Sequence, residues 1–213
     1  AEYTYNGKKY LLPKNDGKNS IHGLVRDINF DYETENTQAI FTTVLNDASY
    51  PGSARISIIY KLEKNRFTTG VIIESLDHSI PVEVGFHPYF HIEKPYSINY
   101  KSSLKMMNYI DDYFPDGTYK EVNLKNNDLS QMSLDNTFLP EDNSMQLKYG
   151  NHVIAITRNN MPYIVLYNGS SAGSDSIAIE PMTGAPDVYH NHIGLAKLEP
   201  GEKFECSYSI SLR

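Results

Sequence analysis

The carboxyl-terminal stretch from Phe204 to Leu212 constrains the fold more than any other segment. Phe204, Cys206, Tyr208, Ile210 and Leu212 take every second position, and Glu205, Ser207, Ser209 and Ser211 fill the gaps. Side chains alternate with a period of two only in an extended chain, so this is a strand with one dry face and one wet face. Ile56, Ile58, Tyr60 and Leu62 repeat the pattern against Ser57 and Lys61. Val153 to Thr157, Ile164 to Tyr167 and Ile177 to Ile179 read differently, as strands apolar on both faces. A strand can bury two faces only if something packs on each side of it, which calls for stacked sheets.

Composition supports this reading: 17 Tyr and 8 Phe are interleaved with Ile, Val and Thr, residue types that suit a pleated, half-buried surface. Turn pairs fall between the apolar runs, at Asn6-Gly7, Asp16-Gly17, Pro51-Gly52, Asp116-Gly117, Asn168-Gly169 and Pro200-Gly201. Leu104, Met107 and Ile110 have helical spacing, but Ser102-Ser103 and Pro115 limit them to one helical turn or a loop. No repeat, charge block or Pro-rich linker marks a boundary. The expected fold is all-β, a large antiparallel β-sandwich in one domain over residues 1–213.

The same inventory excludes several function classes. Nineteen Lys plus Arg against 26 Asp plus Glu give a net charge of −7, which repels phosphate backbones, so no nucleic acid partner is expected. The longest apolar runs are far shorter than the ~20 residues of a membrane-spanning helix, so no membrane partner is expected either. Cys206 is the single cysteine and can close no intrachain disulfide; a reducing, cytoplasmic setting is expected. Asn168-Gly169-Ser170 spells a glycosylation acceptor, but Asn-Gly reads first as a turn. There is no glycine-rich phosphate loop, G-x-S-x-G elbow, H-E-x-x-H or C-x-x-C. His190 and His192 could share one side of a strand and hold a metal, but no third ligand stands at a telling spacing, which favours a solvent-exposed pair.

Three stretches place ionisable groups in apolar or constrained surroundings. In Ile21-His22-Gly23-Leu24-Val25-Arg26-Asp27, His22 and Arg26 could face one concave surface, or Arg26 could simply pair with Asp27. In Val84-Gly85-Phe86-His87-Pro88-Tyr89-Phe90-His91, the proline holds His87 extended among aromatics. His87 there reads as a proton donor in an aromatic wall able to stack on a sugar, or as a satisfied core histidine. In Ile177-Ala178-Ile179-Glu180-Pro181-Met182-Thr183-Gly184-Ala185-Pro186-Asp187, Glu180 closes a strand and opens a stiff loop. That position suits a general base, and equally a carboxylate facing water.

Taken in order, His22-Gly23 with Arg26, His87-Pro88-Tyr89-Phe90, Leu134-Asp135-Asn136-Thr137-Phe138, and Glu180 to Asp187 resemble the aldose 1-epimerase (galactose mutarotase) family over nearly the whole chain. The His-Gly-x-x-Arg form is closest to its less characterised mutarotase-like branch. The resemblance implies a β-supersandwich that binds a hexose and needs no cofactor or metal. It implies Glu180 as general base and His87 as general acid, with His22, Arg26, Asp135 and Phe90 binding the sugar. Members normally carry a further amino-terminal segment ahead of His-Gly, whereas 21 residues precede His22 here. The resemblance therefore implies either a further segment outside this sequence or a shortened member whose sandwich lacks some amino-terminal strands. At reference values Glu180 (~4.3) is expected to be ionised at neutral pH, with His87 (~6.5) charged through the help of Asp135. Epimerisation of a hexose 6-phosphate would need basic residues at the pocket mouth, and the five arginines, Arg26, Arg55, Arg66, Arg158 and Arg213, are scattered in sequence. A carbohydrate-binding module without turnover is the remaining alternative.

Overall fold

The computed structural model of the chain describes residues 1–111 and 114–212. A first hairpin, β1 (Glu2–Tyr5) and β2 (Lys8–Leu11), turns through Asn6 and Gly7, both at positive φ, as a tight Asn-Gly turn requires. The larger sheet has eight strands. Their spatial order is β3 (Asp31–Glu35), β4 (Gln38–Leu45), β5 (Ala54–Glu63), β6 (Arg66–Ser75), β18 (Lys203–Leu212), β14 (His152–Asn159), β13 (Ser144–Tyr149) and β9 (Tyr96–Asn99). The smaller sheet has six, in the order β11 (Pro115–Glu121), β10 (Leu104–Tyr109), β12 (Asp135–Pro140), β15 (Tyr163–Tyr167), β16 (Ser176–Met182) and β8 (Tyr89–His91). A short pair, β7 (Ile80–Val82) with β17 (Ala196–Leu198), completes the strands, and every pairing between them is antiparallel.

The sheets face each other across one apolar core. Val71, Ile73, Cys206, Tyr208, Ile154 and Ile156 of the larger sheet share it with Phe138, Ile164, Leu166, Ile177 and Ile179 of the smaller. The alternation at 204–212 holds in the middle of β18, where Cys206 and Tyr208 point into the core, while Leu212 at its end is exposed. Ile177, Ala178 and Ile179 are each fully buried, so β16 is covered on both faces.

Two local expectations change. Leu104 and Met107 lie on strand β10, not on a helical turn or loop. An odd separation puts them on opposite faces of a strand, and both are buried because β10 has apolar contacts on each side, Leu104 in the main core and Met107 beside Tyr163. Asn168 does not make a hairpin turn. Its Nδ2 donates to Tyr96 Oη, Leu129 O and Met132 O at 2.9, 3.2 and 3.0 Å, and its Oδ1 accepts from Leu134 N at 2.9 Å. The nitrogen that a glycan would modify is committed to tying its own loop to β9 and to the 129–132 segment. Among the described residues the one α-helix is a single turn, α1 (Val188–Asn191).

Candidate active site

The site lies on the face of the smaller sheet that points away from the main core. Residues directly opposite in an antiparallel pair share a face, so registers read out who stands beside whom. One row runs Asp135, Tyr167, Ala178 and Tyr89; the next runs Thr137, Val165 and Glu180. The segment before β8 continues that ladder. Phe86 N donates to Pro181 O at 3.0 Å, Thr183 N to Val84 O at 2.9 Å and Ile179 N to Pro88 O at 3.3 Å, with Gly85 bridging Met182. The same register sets His87 opposite Glu180 and Glu83 opposite Gly184. Thr183, itself buried, adds a side-chain clamp: its Oγ1 accepts from Val84 N at 2.8 Å.

This ladder explains the central contact. His87 Nε2 is 3.3 Å from Glu180 Oε1, with the two side chains 38% and 13% exposed. Tyr89, two residues along and so on the same face, stacks under the His87 ring at 4.9 Å and 24°. His22 arrives from the loop before β3 and meets His87 edge-on, 5.9 Å between ring centres. Its loop is held at both sides of the turn. Asn15 brackets Ile21 through two hydrogen bonds of 2.8 and 2.9 Å, and Leu24, Val25 and Ile28 pack on the core. His22 and Gly23 both have positive φ, which a residue without Cβ tolerates far better than any other.

Electrostatics differ from what reference values suggest. Burial, with the Asp135 carboxylate second, pushes Glu180 up to about 7. Burial, followed by repulsion from His22, lowers His87, while Asp135 opposes that shift. Burial also raises Asp135, against the pull of His87. The expectation of a fully ionised Glu180 beside a charged His87 is therefore corrected: desolvation lifts Glu180 into the range in which imidazoles titrate and disfavours the charged form of His87.

The structure brings Glu180, His87, His22 and Asp135 together and leaves Phe90 outside. Phe90 pairs with Ile177 on the opposite face of the sheet, is 7% exposed and belongs to the main core. The aromatic on the site face is Tyr89, and simple alternation from His87 points to it, since 87 and 89 share a side and 90 does not. Arg26 Nε donates to Asp27 at 2.9 Å, the plain surface pair. The other described arginines are engaged elsewhere: Arg55 with Glu74, Arg66 with Ser211, and Arg158 with the carbonyls of Met161, Pro162 and Asp142. Arg213 lies outside the described residues. His190 sits on α1, not on a strand, and its Nδ1 contacts Asp187 at 2.5 Å, while His192 caps the helix end. Among the described residues no group of three or more His, Cys, Asp or Glu side chains is placed to hold a metal ion. No helix among them is long and apolar enough to cross a membrane.

Comparison with known proteins adds five findings. A family model described as aldose 1-epimerase matches residues 1–211. The uncharacterized Escherichia coli protein YihR is 23% identical over 228 residues, covering 98% of this chain and 73% of its own length. An aldose 1-epimerase of Streptococcus thermophilus is 25% identical over 181 residues, covering 79% of this chain and 45% of that protein. Among solved structures, the GalM/aldose epimerase homologue of C. elegans superposes with a TM-score of 0.85 at 16% identity, over 100% of this chain and 78% of the other. A galactose mutarotase-like protein of Lactobacillus casei gives 0.81 at 19% identity, over 100% and 80%. These likenesses establish the fold, a galactose mutarotase-like antiparallel β-sandwich.

Proposed function

The chain belongs to the aldose 1-epimerase family, and from that premise we propose that it interconverts the α and β anomers of a free hexose by general acid–base ring opening. The observation that carries this reading is the direct contact of His87 Nε2, in the segment leading into β8, with Glu180 Oε1 on β16. Opening a pyranose requires the C1 hydroxyl to lose a proton while the ring oxygen gains one, so that the C1–O5 bond breaks and C1 becomes an aldehyde carbon. Glu180 accepts the first proton and His87 supplies the second. The aldehyde turns about the C1–C2 bond, and closure on its other face returns both protons with the two roles exchanged.

Such a reversal is easiest when the two groups hold a proton with similar affinity, because neither direction then has to climb a large difference in pKa. Burial lifts Glu180 out of the ordinary carboxylate range to about 7, the range in which imidazoles titrate. Asp135 favours the charged imidazole and raises Glu180, so it strengthens both partners as proton carriers. Tyr89 supports the ring of His87 from below and limits its rotation.

The test is polarimetry on freshly dissolved α-D-glucose and α-D-galactose. The protein should accelerate mutarotation of at least one, and Glu180→Gln should lose about 10²-fold or more of that acceleration while sugar-induced thermal stabilisation persists. Near-normal rates in the variant would refute the assignment. Sugar-induced stabilisation with no acceleration in the wild type would identify a binding module instead.

A further inference from the structure

The larger sheet has eight strands and the smaller sheet that faces it has six. The surplus falls at the β3 end, where side chains on the inward face of the larger sheet run out of partners. The registers place Tyr32, Phe41 and Ile58 in one row with Val71 and Cys206, and Tyr60 in the next row with Thr69 and Tyr208. Leu62 and Phe67 follow in a third row with Ile210. Ile58 still packs on the core, whereas Tyr32, Phe41, Tyr60, Leu62 and Phe67 do not belong to it. Tyr32 is 69% exposed and Leu62 58%.

The four aromatics form a connected stripe across β3, β4, β5 and β6. Ring centres are 5.9 Å apart for Tyr32 and Phe41, 5.7 Å for Phe41 and Tyr60, and 5.7 Å for Tyr60 and Phe67. Apolar residues scattered singly over a surface are ordinary, but a connected stripe marks a surface that another molecule covers.

The stripe ends at a free sheet edge. β3 pairs with β4 alone, so every second residue of Asp31–Glu35 points its N–H and C=O away from the sheet. Its side chains are sorted by face. Tyr32 and Thr34 continue the inward side, while Asp31, Glu33 and Glu35 stand together on the other, all exposed. None of these three carboxylates makes an ion pair among the described residues. A strand added here therefore meets apolar surface on one face and uncompensated negative charge on the other. A second copy of β3 fits badly: any antiparallel pairing that keeps both aromatic faces on one side sets acid opposite acid, and a net charge of −7 adds to the repulsion. We propose that the free edge of β3 is a docking site for an extended segment of another polypeptide in which apolar residues alternate with Lys or Arg, added antiparallel as one more strand of the larger sheet. Backbone hydrogen bonds hold such a segment, and the alternation fixes its register.

The probe is a synthetic peptide of about seven residues, an ordinary strand length, that alternates lysine with valine. A glutamate–valine peptide and a shuffled lysine–valine peptide are the controls. Hydrogen exchange followed by NMR locates the contact, and titration gives the affinity. The alternating cationic peptide should protect amides of residues 31–35 and bind about 10-fold more tightly than the shuffled one. Asp31→Lys, Glu33→Lys and Glu35→Lys combined should cost about 10-fold and transfer the preference to the glutamate–valine peptide. These positions are exposed on an edge strand, so thermal unfolding should match wild type; if the triple variant does not fold, Glu33→Lys alone should lose about 3-fold. Tyr32→Ser should weaken the cationic peptide without changing its preference over the acidic one. Equal affinity for the three peptides, protection away from β3, or no binding at about 1 mM peptide would overturn the proposal. So would protected β3 amides without peptide in a protein that sediments at twice the mass of one chain, which identifies a second copy as the occupant.

Discussion

Replacing Glu180 with glutamine should make the protein more stable at alkaline pH, even as it removes the proposed base. In the folded chain the carboxyl is raised from 4.5 to about 7, chiefly by burial and secondly by Asp135. Because the folded value lies above the unfolded one, folding takes up a proton. The wild type is therefore at full stability below about 4.5, loses it as pH rises toward about 7, and gains nothing back beyond that point. At ~1.36 kcal/mol per pKa unit the loss comes to about 3 kcal/mol, and the side chain is too buried for solvent to screen much of it. Glutamine keeps the shape and does not titrate. For a chain of this size, ~3 kcal/mol corresponds to roughly 6–12 °C in Tm. Thermal unfolding of both proteins at pH 4 and at pH 8 reads the difference directly. The expected outcome is near-coincident curves at pH 4 and a variant higher by several degrees at pH 8. Equal melting at pH 8 would mean that Glu180 is not desolvated as placed, and the matched-affinity argument for catalysis would fall with it.

Three further outcomes follow from the same geometry. The rate of mutarotation should be greatest where the His87–Glu180 pair holds one proton, between the lowered value of His87 and about 7, falling on both sides; a flat profile from pH 5 to 8 would contradict the pairing. Asp135→Asn should lower the pKa of both Glu180 and His87, since Asp135 raises each, and NMR titration of the His87 ring would detect an upward or absent shift as a failure. Arg158→Met should destabilise the fold by about 3 kcal/mol or more in urea denaturation, because the buried guanidinium donates to the carbonyls of Met161, Pro162 and Asp142, which methionine leaves unpaired; a loss under about 1 kcal/mol would show that water replaces it.

The parts of this protein legible in the sequence are those governed by local periodicity. The alternation at 204–212 and the two-sided apolar runs at 153–157, 164–167 and 177–179 could only be strands, some of them covered on both faces, and the sandwich follows from that. Periodicity misleads where a three-residue spacing occurs by chance in a strand buried on both sides, as at Leu104 and Met107. It could also have chosen Tyr89 over Phe90, because the residue two beyond His87 must share its face.

Chemistry at the site has a different origin. His87 and Glu180 stand 93 positions apart in the chain, and no local rule relates them. They meet because the strand register from Thr183–Val84 to Ile179–Pro88 places them directly opposite each other. Their proton affinities are likewise set by the fold, since desolvation and the nearness of Asp135 and His22 are properties of packed neighbours. The sequence by itself determined which stretches are strands and which residue types are available for proton transfer. Only the tertiary structure decided which of those residues share a face, how far each is withdrawn from water, and so which of them stand within reach of one another.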